Sequence, residues 1–493
     1  MRIKKYAAAF LAATTVLGSL AACGGDAKET AKDNTPAVEN QGGNEGGNEG
    51  GNEGGNEGAT PPVDDTPKAT PIPDRDLQGQ AFIIGDHWSP ETPAEPTNAQ
   101  EEATQKYRNE IFAKYNFTMQ SKSVAGWGEM TDTYVQSVSA GEPAANVFEL
   151  DYRFVATPMK NGLFYDLATL KEFDFTEDKW NDAVTNLMTK GSSIYGMRAS
   201  VSEPRGGVIW NKRLFEEAGL DPNLPYDLQA SGEWTWSKFE ELCAKLTRDT
   251  NGDGVTDVYA TVSQGAATLS CLIAGSGLDI IGKDENGKFY NATGDAGVLA
   301  AMDFAVKLYN AGYEMPQPEG TEWDWFMPAF QEGKAAMQFH EEYTCQPTNV
   351  YGDEMEDSVG FVMPPKPDGQ DQYYSYVCDN IAVIPSCYTA EQASDIAFAY
   401  NVYTMATPGY DDPDAWLEAY YSHFDDERAV DETIAMFNDG VSTKFKMETC
   451  VPGIGDVTGP DLLWVYPFSS VTPAEQVASF KDSWDAIIAE ANQ

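Results

Sequence analysis

The chain has little positive charge and few histidines for its length. Its 493 residues include 32 lysines and arginines against 78 aspartates and glutamates, and three histidines, so the formal net charge is −46. This excess of negative charge opposes binding to nucleic acids and anionic lipids, which depends on basic side chains. Three histidines also supply little general-base chemistry at neutral pH. The sequence therefore predicts no nucleic-acid partner.

Common enzyme motifs are absent as well. The sequence contains no GxSxG, HExxH or P-loop pattern, and the glycine pair at 453 and 455 lacks the third glycine of a dinucleotide-binding turn. With 78 acidic residues, carboxylate pairs at glycosidase spacing arise by chance and carry little information. A binding protein is favoured over an enzyme, and a secreted glycoside-active enzyme stays open as an alternative.

The cysteines do not form a metal-binding pattern. Six follow Cys23, and they show no CxxC spacing and no histidine at zinc spacing. An even number outside the cell permits disulfides, although a chain of this size does not need them to fold. Their pairing stays open for Cys243, Cys271, Cys345, Cys378, Cys387 and Cys450.

The N-terminus has the features of a secretory signal. Basic residues at 2, 4 and 5 precede an apolar run over 6–17, which is too short for the roughly 20 residues of a transmembrane helix. Residues 20–23 (LAAC) resemble the lipobox of bacterial lipoproteins, and the resemblance implies cleavage after residues 1–22 and lipidation of Cys23. We expect a lipid anchor on the extracellular face of the cell membrane, or the periplasmic side in a Gram-negative cell. A plain secretory signal is the alternative.

A tether follows the lipobox. Residues 24–75 contain no Phe, Tyr, Trp, Leu or Met, and residues 42–57 repeat Gly-Gly-Asn-Glu four times. Such a composition buries too little apolar surface to offset the entropy of ordering. We predict that residues 23–75 form a disordered tether with a root-mean-square span of about 40 Å.

Short apolar strands alternate with polar helices beyond the tether. We predict strands over 80–85, 117–124 and 144–150, with helices over 98–115 and 127–140 between them. Polar or aromatic residues follow each strand. This order is typical of a parallel, doubly wound sheet, in which ligands bind at the carboxyl ends of the strands.

The stretch 330–343 (FQEGKAAMQFHEEY) combines the end of a helix, a turn and a strand. Gly333 suits the left-handed residue that ends a helix. The alternating apolar residues over 335–339 predict a half-buried strand. Residues 340–343 would then lie at the carboxyl end of that strand, where a ligand could contact them.

Seven short segments form a series along the chain. They are 140–148 (AGEPAANVF), 160–167 (KNGLFYDL), 194–197 (IYGM), 209–220 (IWNKRLFEEAGL), 234–239 (WTWSKF), 330–337 (FQEGKAAM) and 359–364 (VGFVMP). In this order they resemble the signatures of extracellular solute-binding proteins of ABC importers, in the carbohydrate-binding, maltose-binding-protein-like family. Two residues depart from the family pattern: Asn146 replaces its usual Asp, and Trp210 its usual Tyr.

The resemblance implies an α/β fold, a two-lobe periplasmic-binding-protein-like clamp of type II with its ligand cleft between the lobes. Within a domain of residues 76–493, it implies a first lobe of about 76–200 and 365–400 and a second of about 207–360 and 409–493. The implied crossings between lobes lie near 201–206, 360–365 and 399–408. A final helix within 468–493 is expected to pack on the second lobe.

A sugar site combines flat aromatic rings with carboxylates, amides and arginine, because sugars present apolar ring faces and many hydroxyls. The resemblance implies six ligand-binding residues at strand exits: Asp86, His87, Asp151, Tyr152, Arg153 and Tyr343. Five more are candidates from local character alone: Trp88, Trp323, Trp325, Glu342 and Asp379.

The segment 249–257 (DTNGDGVTD) has the spacing of a calcium-binding loop. Oxygen ligands at positions 1, 3, 5 and 9, a backbone carbonyl at 7 and glycine at 6 match an EF-hand loop. Ala260 replaces the usual Glu at position 12, and a strand is predicted after the loop. We predict a structural Ca²⁺ site, with an Asx-rich turn as the alternative. Its ligands would be Asp249, Asn251, Asp253, Val255 and Asp257.

Taken together, these features predict a monomeric, lipid-anchored receptor that captures a carbohydrate. The resemblance implies that the ligand is an oligosaccharide, delivered to the permease subunits of an ABC transporter without chemistry. The same clamp could instead hold another solute, such as a peptide, a polyamine or a metal chelate. Stacking aromatic rings in the cleft would favour a sugar, whereas an acidic cleft without them would favour a cation.

Overall fold

Two four-stranded β-sheets organise the part of the chain that this computed structural model describes. The described residues are 73–90, 96, 99–347, 349–353, 355–412, 414–439, 441–466, 468 and 471–493. The predicted signal segment, Cys23 and the tether up to residue 72 lie outside them. No helix in the described residues has both the length and the apolar composition needed to cross a membrane.

The β-strands are numbered in chain order. They are β1 (Gln80–Asp86), β2 (Phe117–Ser123), β3 (Val147–Asp151), β4 (Thr189–Lys190), β5 (Ser193–Ile194), β6 (Glu203–Pro204), β7 (Gly206–Asn211), β8 (Tyr259–Thr261), β9 (Ile281–Lys283), β10 (Phe289–Asn291), β11 (Ala335–Glu341), β12 (Val359–Val362), β13 (Ser375–Cys378), β14 (Asn380–Val383) and β15 (Thr443–Lys444).

The α-helices follow the same order. They are α1 (Ala99–Tyr115), α2 (Met130–Ser139), α3 (Ala156–Lys160), α4 (Asp182–Leu187), α5 (Lys212–Glu217), α6 (Leu224–Ala230), α7 (Trp236–Leu246), α8 (Gly265–Gly275), α9 (Ala296–Asn310), α10 (Phe326–Gln331), α11 (Val350–Asp353), α12 (Ala390–Tyr403), α13 (Gly455–Thr458) and α14 (Pro473–Ala491).

The first sheet has the strand order β14-β3-β1-β2. β1 pairs in parallel with both β2 and β3, which confirms the predicted parallel arrangement of the first three strands. β14 adds an antiparallel edge from much later in the chain. Alternate residues of these strands enter two different cores: Phe82 and Ile84 pack on one face, and Phe148 and Leu150 on the other.

The second sheet has the order β12-β7-β11-β8. The predicted helix end, turn and strand over 330–343 are confirmed: α10 ends at Gln331, Gly333 has a φ of 71°, and β11 begins at Ala335. The expected half-burial of the strand is wrong. β11 lies between β7 and β8, so its first six residues are all buried.

A small third sheet, ordered β15-β13-β6, carries the chain between the lobes. β13 runs antiparallel to β6 and leads directly into β14 of the first sheet. The return crossing predicted near 360–365 is therefore placed too early. Residues on both sides of this position still pack in the second core. Trp234 Nε1 donates to the carbonyl of Met363 (2.7 Å), and Tyr373 is buried in the same core.

The C-terminal part completes the second lobe. After α12, Met405 still packs on the first core, whereas Trp416 packs on the second. The final helix α14 buries Trp484 in the second core and contacts β10 and α9. The predicted helix within 468–493, and its packing on the second lobe, are confirmed with bounds of Pro473–Ala491.

Arg75, at the start of the domain, attaches the chain to the first lobe through its side chain. Arg75 Nη1 donates to Glu172 Oε1 (3.1 Å) and to the carbonyl of Ser394 (3.2 Å), and its guanidinium also pairs with Asp395. The guanidinium carbon lies 5.2 Å from the ring centroid of Phe398 on α12. Residue 75 is therefore bound to both the loop before α4 and helix α12.

The crossing depends on glycine at the start of β7. A Cβ at Gly206 would lie 2.3 Å from the buried ring of Tyr376 on β13, so Gly206→Ala must displace that ring or one of the two strands. We expect this substitution to lower the free energy of unfolding by roughly 1–3 kcal/mol, measured by denaturant unfolding. Gly128→Ala is the matched control, because no atom lies within 4 Å of its Cβ position. Equal losses in the two variants would contradict this account of the crossing.

Candidate functional site

β1 delivers His87 and Trp88 to the edge of the first sheet. The buried Asp86 carboxylate accepts hydrogen bonds from the backbone N–H groups of Trp88 (3.1 Å) and Ser89 (2.8 Å), so it folds the loop. His87 packs edge-on against Trp88, with 4.7 Å between ring centroids, and Trp88 is 46% exposed. Burial, the largest influence, lowers the pKa of His87. The loop therefore presents a half-exposed indole beside a neutral-favouring imidazole.

β3 ends in an aspartate–arginine pair. Asp151 accepts hydrogen bonds from the backbone N–H (2.9 Å), Nε (2.8 Å) and Nη2 (2.5 Å) of Arg153. The Arg153 guanidinium carbon lies 5.0 Å from the ring centroid of Trp127, which is 48% exposed. Tyr152, between the two charged residues, is buried. Asp151 thus holds an arginine against a flat, exposed aromatic ring.

Glu203 on β6 joins two arginines. Its Oε1 accepts from Arg198 Nη2 (2.9 Å) and its Oε2 from Arg205 Nη2 (2.8 Å). The Arg205 guanidinium carbon lies 5.0 Å from the ring centroid of Tyr343, and its Nη1 lies 4.0 Å from Glu341 Oε2. A continuous series of charged side chains therefore runs along the crossing to the end of β11 in the second lobe.

The residues after β11 have different environments. Glu341 accepts a hydrogen bond from the Tyr376 hydroxyl (3.2 Å). Glu342 is buried, and its Oε1 lies 2.6 Å from His423 Nδ1, so it attaches the C-terminal part of the chain to β11. Tyr343 contacts Arg205 instead. Of the two predicted ligand residues here, Glu342 is enclosed within the second lobe and Tyr343 lies at the crossing.

Asp379 is completely buried between β13 and β14. Its carboxylate accepts from Ser202 Oγ (2.7 Å) and the Glu203 backbone N–H (3.2 Å), and it pairs with Arg198 Nε (3.2 Å). These bonds attach the returning strand to the outgoing one. They leave no exposed surface on Asp379 for a ligand to contact.

The two tryptophans predicted before α10 lie in different surroundings. Trp323 is 68% exposed, and Trp325 packs partly against the second core. Among the described residues, no ring contact or hydrogen bond joins either side chain to the arginines at the crossing. The structure therefore does not unite them with the other candidates.

Electrostatic interactions link the two lobes at this site. Asp151 and Arg153 both act on the pKa of His87, although burial has the larger effect. Burial raises the pKa of Tyr343, and Arg205 and Arg153 oppose the rise. The Arg153 charge in the first lobe therefore acts on both His87 and Tyr343, across the boundary between the lobes.

Sequence reasoning misses three side chains of this site: Trp127, Glu203 and Arg205. It assigns Trp127 to the start of a helix, and it treats the segment that holds the charged pair around Pro204 only as a crossing. The signal that could have identified the pair is two opposite charges flanking a proline where the chain changes lobes.

The predicted calcium loop is closed by its own hydrogen bonds. Asp249 accepts from the N–H groups of Gly252 (2.6 Å) and Gly254 (2.8 Å), and Asp257 from that of Thr250 (2.7 Å). In the described part of the chain, no three His, Cys, Asp or Glu side chains are grouped to hold a metal ion. The loop as folded matches the Asx-rich turn, and calcium binding stays a prediction.

Calcium binding to these carboxylates can be tested directly, because a carboxylate that accepts backbone N–H groups keeps lone pairs for a metal ion. If it occurs, calcium at roughly millimolar concentration should raise the melting temperature relative to EDTA, and Asp257→Asn should abolish the rise. Asp284→Asn is the matched control, because Asp284 also accepts backbone N–H groups in a turn. A melting temperature independent of calcium would show that the loop is a turn alone.

More than half of the chain matches one known protein family. Residues 93–393 match the model of a family described as bacterial extracellular solute-binding protein. No curated protein sequence matches the chain. The family match covers the second sheet, three of the four strands of the first sheet and the described site residues from Trp127 to Tyr343.

Three solved structures illustrate the fold. A cyclic α-maltosyl-1,6-maltose binding protein from Arthrobacter globiformis is 13% identical with a TM-score of 0.60, over 83% of this chain and 99% of that one. The substrate-binding protein Lmo0181 from Listeria monocytogenes, in complex with cycloalternan, is 14% identical with a TM-score of 0.56, over 83% and 99%. UgpB from Mycobacterium tuberculosis, in complex with glycerophosphocholine, is 13% identical with a TM-score of 0.58, over 79% and 95%. The predicted α/β, type II two-lobe fold is confirmed.

Proposed function

The chain belongs to the bacterial extracellular solute-binding proteins, and from this premise we propose that it captures a carbohydrate between its lobes for an ABC permease. The observation that carries the proposal is the pairing of aromatic rings with arginines on both sides of the cleft. Arg153 lies over Trp127 in the first lobe, and Arg205 over Tyr343 at the second. Such sites offer stacking surfaces for sugar rings and N–H donors for hydroxyl oxygens.

Relatives with the same fold support a saccharide ligand. The structure from Arthrobacter globiformis is named for cyclic α-maltosyl-1,6-maltose, and the one from Listeria monocytogenes is bound to cycloalternan. A further one, from B. animalis subsp. lactis, is bound to β-1,6-galactobiose. We therefore propose an oligosaccharide as the ligand class. The relative bound to glycerophosphocholine makes a non-sugar solute the second candidate.

The proposed role is binding without catalysis. The family consists of solute-binding proteins, and the carboxylates of the cleft are engaged with arginines or backbone groups. Asp151 uses both oxygens on Arg153, and Glu203 uses both on two arginines. Neither of these two carboxylates is therefore an unpaired acid or base. We propose that hinge closure around the ligand, rather than chemistry, is the functional event.

The location and assembly follow from the same proposal. The family is extracellular, and the lipobox-like sequence would attach the chain to the membrane through Cys23. The residues before Arg75, which is itself bound to the first lobe, would then act as a tether for a monomeric receptor outside the cell. The permease that receives the ligand would lie in the same membrane.

Ligand binding can be tested with a thermal-shift panel. We expect at least one of maltotetraose, β-1,6-galactobiose or mannobiose to stabilise the protein, by about 2.7 kcal/mol at 100-fold excess over the Kd. The panel also includes glycerophosphocholine, a polyamine and a peptide. A response to one of these three compounds alone would contradict the carbohydrate proposal, but it would still support solute binding by the two-lobe fold. Release of shorter sugars during prolonged incubation would contradict binding without catalysis.

Tyr343 provides a test of the site itself. We expect Tyr343→Ala to weaken binding of the saccharide found in the panel by roughly tenfold, because an anchoring ring in the cleft is lost. Tyr343→Phe should retain most of the affinity, since it keeps the ring. Trp464→Ala is the control, because this 59% exposed indole lies in the C-terminal segment before α14. Equal affinity of all three variants, measured by calorimetry, would place the ligand elsewhere.

A further inference from the structure

Each arginine of the cleft is paired with carboxylates of the protein itself. The pairs are Arg153 with Asp151, Arg198 with Asp379 and Glu203, and Arg205 with Glu203 and Glu341. The positive charge of these three guanidinium groups is therefore compensated without a ligand. A site built for an anionic solute would instead leave at least one cation to pair with it.

Glu203 is shared between two of these arginines and is more exposed than either. Its side chain is 33% exposed, against 14% for Arg198 and 15% for Arg205. The Glu203 side chain is thus more accessible to solvent than the two arginine side chains that it neutralises. A ligand entering beside Arg205 meets this negative charge as well.

Arg205 keeps N–H donors despite its compensated charge. Its Nε is buried and has no hydrogen-bond partner among the described residues, whereas its Nη1 lies 4.0 Å from Glu341, beyond hydrogen-bond distance, and is the donor left for a ligand. A guanidinium in this state can donate to a neutral oxygen. It does not have a free charge to offer to an anion.

We infer that Glu203 is a specificity-determining residue that restricts the cleft to uncharged, polyhydroxylated ligands. This inference rests on the proposed function and narrows its ligand class. A sugar hydroxyl can accept from Arg205 while the pair with Glu203 stays intact. A uronate would bring a second carboxylate beside Glu203, or displace it and leave it without a partner, and both outcomes oppose binding.

The substitution Glu203→Gln isolates the charge. Glutamine has nearly the same shape and keeps one oxygen to accept from an arginine, but it removes the negative charge. Arg198 keeps its contact with Asp379 at 3.2 Å, whereas the nearest remaining carboxylate to Arg205 is Glu341 at 4.0 Å. The variant therefore exposes one under-compensated cation in the cleft, at Arg205.

The test compares maltose, β-1,6-galactobiose and mannobiose, each with its counterpart oxidised to a uronate at one C6, by calorimetry on the full chain at low salt. The wild-type protein should bind the neutral member of a pair more tightly than its uronate by roughly tenfold or more. Glu203→Gln should reduce or reverse this preference. Glu217→Gln is the matched control, because Glu217 also bridges two arginines, Arg213 (2.5 Å) and Arg248 (3.6 Å). This substitution should leave the preference for the neutral sugar unchanged.

The outcomes separate this inference from the proposed function. Equal wild-type affinity for a neutral sugar and its uronate would overturn the role of Glu203 while the carbohydrate receptor stands. If Glu203→Gln keeps the wild-type preference for the neutral sugar over its uronate, the role of Glu203 is also overturned. Failure to bind any neutral saccharide would overturn the proposed function itself. The wild-type comparison, repeated at high salt where the preference should shrink, tests the inference even if the variant does not fold.

Discussion

The antiparallel pairing of β6 with β13 is the constraint on which the rest of the structure depends. It joins the outgoing and returning segments at Pro204 and Glu203, and it places β7 of the second lobe and β14 of the first immediately beyond. Two glycines at the start of β7 let the rings of Tyr376 and Phe361 lie against the backbone. The cleft side chains take their positions from this junction, since Arg205 follows β6 directly and Tyr343 packs on it.

Charge at the junction is stabilised because each buried charged group is paired with an opposite charge. Burial of a carboxylate such as Asp379 is costly unless hydrogen bonds and an opposite charge replace its hydration. Asp379 has two hydrogen bonds and a contact with Arg198, and Arg198 also donates to the carbonyls of Val201 and Asn380. Such a network fixes one geometry of the crossing strands more than it adds to overall stability. The same residues therefore fix the geometry of the crossing strands and carry the ligand specificity inferred for the cleft.

The sequence predicts local structure well where periodicity and turn residues agree. The first three strands, the turn at Gly333 and the last helix follow from patterns within about ten residues. The errors concern partners that are distant in the chain. Glu342 is paired with a histidine 81 residues later, and Asp379 accepts from Ser202, 177 residues earlier. No spacing in the sequence encodes such contacts. The same reason explains why the alternating pattern of β11 predicts half-burial, since its position between β7 and β8 depends on sheet order.

The attachment of Arg75 has a mechanical consequence. Its contacts with Glu172, Asp395 and Phe398 belong to the first lobe, whereas β7, β11 and α14 belong to the second. A pull transmitted along the chain from residues before 75 is therefore borne by the first lobe. The second lobe carries no such load and can rotate about the junction without working against it. If the molecule is restrained at that end, the proposed hinge closure would move the second lobe relative to a held first lobe.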